Sequence, residues 1–79
     1  MEDVKGLGEA TAKAIRKLRN KAGLTQQELA DFACLSRGHI AEIEGLRSNV
    51  TLNALHRIAE ALSMTTPDLI TEIYKEFRP

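Results

Sequence analysis

Cys34, His39 and His56 are the only soft metal ligands in this chain of 79 residues, and their spacing matches no zinc site. No Ser/His/Asp set stands out, nor a Gly-rich phosphate loop, nor a carboxylate pair suited to acid–base work. The residues therefore argue for no enzyme, no metal and no cofactor. What they offer is recognition chemistry. Arg37 can donate two hydrogen bonds to guanine O6 and N7, worth roughly 1–3 kcal/mol of discrimination. Glu42, five residues on, can accept from cytosine N4. His39 can reach a phosphate or a base edge, and Gly38 presents no side chain, so a DNA backbone or thymine methyl could approach it closely. The plain alternative for each is a solvated helix surface.

Those groups work only if an element holds them outward. The apolar periodicity is helical almost throughout. Ala10, Ala14, Ile15, Leu18 and Ala22 form the stripe of a first helix, from about Glu9 to Ala22, stopped by Gly23 and Leu24. Thr25-Gln26-Gln27-Glu28 is a capping box opening a second helix, with Leu29, Ala30 and Ala33 inward. Cys34-Leu35 form a tight turn. Ser36 caps a third helix, with Ile40 and Ile43 inward and Arg37 outward, and Gly45-Leu46 end it. Arg47-Ser48-Asn49 is a polar loop. Thr51 caps a fourth helix carrying Leu52, Leu55, Ile58, Ala59 and Leu62 on one stripe. Thr66-Pro67-Asp68 starts a fifth helix, about 67–77, with Leu69, Ile70, Ile73, Tyr74 and Phe77. The fold class is all-α, a five-helix bundle in a single domain, 1–79.

Residues 25–44 are the informative stretch. Two short helices joined by a tight turn cannot lie antiparallel with long contact. They cross steeply through small residues, here Ala30 and Ala33, which leaves the outer face of the second free for a DNA major groove. Thr25-Gln26-Gln27-Glu28-Leu29-Ala30, Ala33, Leu35-Ser36, Ile40-Ala41 and Ile43-Glu44 resemble the XRE family, the helix-turn-helix type of phage Cro and lambdoid repressors. The resemblance covers about residues 10–70. More narrowly, the chain is similar to restriction–modification controller proteins in its length, its fifth helix and the loop Ser48-Asn49-Val50-Thr51. Two positions depart from the family pattern. Cys34 stands where the family usually has Gly, and Gly45 follows Glu44 directly, where the family often has its Gly one residue later.

The resemblance implies a lambda repressor-like DNA-binding domain and a sequence-specific transcriptional regulator, a repressor or activator. Within it, Arg37, Gly38, His39 and Glu42 would contact bases. Thr25, Gln26, Ser36, Arg47, Ser48 and Asn49 would contact the DNA backbone, which positions the protein without reading sequence. Arg19 and Glu44 align with a structural ion pair between the first helix and the end of the third. The implied partner is double-stranded DNA with palindromic half-sites, bound by a homodimer formed through Leu69, Ile70, Ile73, Tyr74 and Phe77 and the adjoining face of the fourth helix. RNA polymerase is a further expected partner. The competing reading is a protein-interaction module of the same fold, antitoxin-like or polymerase-contacting.

Charge sharpens this expectation. Eleven basic and eleven acidic side chains give a net charge of zero, which excludes a polybasic arm coating nucleic acid by bulk attraction. Residues 1–24, however, hold six bases against three acids, and Lys13, Arg16, Lys17, Arg19 and Lys21 run without an acid between them. A basic first helix on the DNA side, holding phosphates, is the expectation. The lone Cys34 permits no intrachain disulfide, and no apolar run approaches the ~20 residues of a membrane span. With no signal peptide evident, a cytoplasmic protein with no membrane partner is expected.

Overall fold

The structure, a computed structural model, describes residues 4–45 and 50–77. Arg47, Ser48 and Asn49, expected at the DNA backbone, and Leu46, expected to help end the third helix, lie outside the described residues. The described chain forms five helices: α1 (Leu7–Lys21), α2 (Gln26–Ala33), α3 (Arg37–Glu44), α4 (Leu52–Ala61) and α5 (Thr66–Glu76). No helix among the described residues is long and apolar enough to cross a membrane.

Each helix start is built by a side-chain oxygen or a turn written locally in the sequence. At α2, Glu28 N donates to Thr25 Oγ1 at 3.0 Å and Thr25 N donates to Glu28 Oε1 at 2.9 Å, so two otherwise orphaned donors satisfy each other's residues. Ser36 Oγ accepts from His39 N at 3.0 Å, and Thr51 Oγ1 from Ala54 N at 3.1 Å. The start of α5 is corrected by one residue. Thr65 is the cap, its Oγ1 accepting from Asp68 N at 3.1 Å, and Thr66 already belongs to the helix. α1 also begins earlier than expected, after a left-handed Gly6, because Leu7 can already pack on the core.

The helix ends divide in two. α1 closes as expected: Gly23 N donates to Asn20 O and Leu24 N to Arg19 O, both at 3.0 Å, with Gly23 at φ 74°. α2 and α4 use the same left-handed turn without glycine, at Cys34 (φ 56°) and Ser63 (φ 58°). Gly45 differs from expectation. It ends α3 at φ −93° and needs no left-handed conformation; instead a Cβ there would lie 3.0 Å from the Ala41 carbonyl.

One aliphatic cluster joins all the helices. Ile15, Leu29, Ile40, Ile43, Ile58 and Leu69 are fully buried, so every helix contributes at least one large side chain. Each such burial is worth roughly 1.5–3 kcal/mol. Ala30 and Ala33 let α2 pack closely on both α3 and α4, while α1 lies against α5 and α3. Two stripe residues are corrected: Ala22 is exposed, and Leu52 stands 71% exposed while Ala54 takes the inward place.

Candidate nucleic-acid interface

The link between α2 and α3 is closed by main-chain bonds. Leu35 N donates to Ala30 O at 2.9 Å and Cys34 N to Asp31 O at 3.3 Å, which turns the chain sharply enough for Ser36 to cap α3 at once. Ile40 and Ile43 then face the core. Arg37, Gly38, Ala41 and Glu42 follow at the i, i+1, i+4, i+5 spacing of the opposite face, and Arg37, Gly38 and Glu42 are exposed. This strip carries a bidentate donor at one end and a carboxylate acceptor near the other. His39 sits at the strip's edge, half-buried. The nearest atom a Gly38 Cβ would meet is Ser36 Oγ at 3.9 Å, so the protein itself leaves room for a side chain there.

Thr25 and Ser36 are exposed, and each accepts a main-chain hydrogen bond through its hydroxyl oxygen. Capping uses lone pairs and leaves each O–H free to donate. Gln26 is half-buried, and its Nε2 donates to Glu44 Oε1 at 3.2 Å. Among the described residues, its amide carbonyl and second N–H meet no further partner.

Glu44, 3% exposed, gathers the ends of three helices. Arg19 donates to it twice, Nε to Oε2 at 2.8 Å and Nη2 to Oε1 at 3.0 Å, and Arg19 Nη1 donates to Leu24 O at 2.8 Å. Arg16 Nη2 donates to the Glu44 carbonyl oxygen at 2.8 Å. Burial pushes the Glu44 carboxyl up, but hydrogen bonds from Arg19 and Gln26 and the charges of Arg19 and Arg16 outweigh it and hold the group below the usual carboxylate range. The Arg19 guanidinium is raised in turn, first by its hydrogen bond to Glu44.

The basic side chains of α1, expected on the DNA side, meet acids on two different helices. The side chains divide by helical angle. Arg16 and Arg19, three apart, turn to Glu44 at the end of α3. Lys13 and Lys17, four apart, lie 3.6 and 3.7 Å from the Glu76 carboxylate at the end of α5. Spacing alone does not make that division, because Lys13 and Arg16 are three apart just as Arg16 and Arg19 are; the acids they meet lie far along the chain.

The apolar stripe of α5 also divides. Leu69 and Ile73 are buried in the chain's own core, which corrects their placement at a dimer interface, and Phe77 is half-buried. Ile70 and Tyr74 face outward, 38% and 58% exposed. On α4, Leu52 and His56 are exposed, and His56 Nδ1 lies 3.0 Å from Thr66 Oγ1 across the two helices.

The helix-turn-helix family model matches residues 15–70, well over half of the chain. The chain belongs to the helix-turn-helix family. As a member it is a DNA-binding transcriptional regulator. This helix-turn-helix chain is 38% identical to control protein C.SmaI of Serratia marcescens over 80% of its own length and 75% of that protein. It is 43% identical to the immunity repressor protein of Bacillus phage phi105 over 76% of its length, a match that spans 40% of the repressor. Among solved structures, the wild-type restriction–modification controller protein C.Esp1396I superposes with a TM-score of 0.83 at 29% identity, covering 92% of this chain and 94% of that one.

Proposed function

We propose that this regulator binds palindromic operator DNA as a homodimer and acts in the manner of a restriction–modification controller. The exposed strip Arg37-Gly38-Ala41-Glu42 carries the reading. It stands opposite the buried Ile40 and Ile43 on a helix whose start and end are both pinned. Arg37 and Glu42 would read base edges, with Gly38 and His39 beside them, while Thr25, Gln26, Ser36 and the 47–49 loop hold phosphates. The Arg19–Glu44 pair keeps α3 in place. The controller assignment is supported by the similarity to C.SmaI and C.Esp1396I. Ile70, Tyr74 and Leu52 are the surface we assign to the second protomer. A transcriptional regulator of this kind works in the cytoplasm, with its DNA.

Selection from a pool of random-sequence duplexes tests the reading. The expected result is an enriched palindrome with half-sites about 34 Å apart along the helix axis. Binding without enrichment and without salt dependence would overturn it.

One observation favours a second reading. Phe32 stands 64% exposed on α2, one helical turn from Glu28 and next to Asp31 in the chain. A protein partner, RNA polymerase among them, would be met there. Purified polymerase that binds the wild-type chain and a Phe32→Ser variant equally would exclude that surface.

A further inference from the structure

The Glu44 cluster carries more positive charge than it needs. Arg19 already closes a two-point pair on the carboxylate, yet Arg16 adds a second guanidinium, its Nε 3.6 Å from Glu44 Oε1. Exposure rises steadily outward, with side-chain values of 2% for Glu44, 13% for Arg19 and 55% for Arg16. The surplus charge therefore reaches solvent on Arg16. It does so at the carboxyl end of α3, just before the segment that carries Arg47, Ser48 and Asn49. Lys13 and Lys17 of α1 are drawn elsewhere, to Glu76 of α5.

We propose that Arg16 is the α1 residue that binds the DNA backbone, and that the end of α3 positions it for the purpose. A guanidinium with one N–H committed to a main-chain carbonyl is held in a narrow range of rotamers. Its remaining donors keep the planar fork that suits a phosphate. Because the anchor is the last carbonyl of α3 itself, the phosphate contact and the base-facing strip are fixed relative to each other. Seating one in DNA seats the other.

The inference rests on the DNA-binding reading, and its test separates the two. Affinity for a mixed-sequence duplex of about 30 base pairs, roughly three helical turns, is measured against potassium chloride concentration. Thermal unfolding is followed in parallel. Arg16→Gln is expected to reduce the slope of log affinity on log salt by about 0.9 per protomer. Arg16→Lys should keep the slope, having kept the charge, but bind several-fold more weakly because an ammonium is not locked by the carbonyl. A Lys13→Gln, Lys17→Gln double variant should keep both slope and affinity. An unchanged slope in Arg16→Gln overturns the proposal, as does wild-type affinity in Arg16→Lys or an equal loss in the lysine variant. A wild-type chain that shows no salt-dependent binding at all overturns the DNA-binding reading itself.

Discussion

Gly38 and Cys34 carry opposite costs, and both are measurable. Gly38 lies inside α3, where a Cβ would make only an ordinary contact with Ser36 Oγ at 3.9 Å. Within the protein, Gly38→Ala should therefore stabilise by up to about 1 kcal/mol through helix propensity. Against DNA the new methyl would point into the surface the strip presents. The expected outcome is a higher melting temperature together with weaker operator binding in a gel-shift titration. Cys34 sits at φ 56° and ψ 40°, a left-handed conformation that a side chain resists. Replacing it with Gly should relieve about 1 kcal/mol of strain, raising the melting temperature by roughly 4–8 °C in a domain of this size. A fall in melting temperature would show that the thiol contributes packing that outweighs the strain. Ser63, with φ 58°, is the same case at the end of α4.

At the scale of elements, Glu44 decides how α1, α2 and α3 stay together. Glu44→Ala would leave the Arg19 guanidinium, 13% exposed, without its carboxylate and with only the Leu24 carbonyl to accept from it. Breaking one side of such a pair costs about 3–5 kcal/mol, and calorimetry should show most of the cooperative transition lost. Acid does the same more gently. The folded carboxyl is held below its ordinary value of 4.5, so its contribution is fully present above that pH and fades as the pH falls through the lowered folded value. Stability should drop on acidification below about pH 4.5, and a folded Glu44→Gln variant should show a shallower drop. What the sequence displayed of these elements follows from range. The Thr25–Glu28 capping box, Gly23-Leu24 and the inward stripe of α3 are local, and they were legible residue by residue. The left-handed Ser63 was not, since nothing in Leu62-Ser63-Met64 marks a helix end. Nor was the start of α5, where Thr65 and Thr66 are chemically equivalent candidates for the cap and only packing chooses. The same limit hid the partners of the α1 cations, because Glu44 and Glu76 lie far along the chain from them.

For the whole molecule, the outward side of α4 and α5 separates association from folding. Ile70→Asp with Tyr74→Asp alters exposed positions, so the protomer should keep its helix content and most of its stability. Sedimentation at micromolar concentration is expected to show the wild-type chain as a dimer and the double variant as a monomer, with operator affinity falling in step. Leu69→Asp, one residue away but 0% exposed, should instead unfold the chain. A wild-type monomer, with and without operator DNA, would refute the dimer. The neutral total charge bears on the same scale. With Lys13 and Lys17 beside Glu76, and Arg19 spent on Glu44, little bulk attraction is left, and binding must depend on individually placed donors such as Arg37.

The aliphatic core has a practical side. The chain has no Trp and a single Tyr, and that residue, Tyr74, stands 58% exposed on the outward side of α5 while the buried cluster contains no aromatic ring. Its ring lies 5.7 Å from that of Phe77, tilted by 54°. Intrinsic fluorescence in this protein is therefore a report from the rim. Its emission and its quenching by acrylamide should follow the coverage of that face as protomers meet, and should follow the melting of the interior hardly at all.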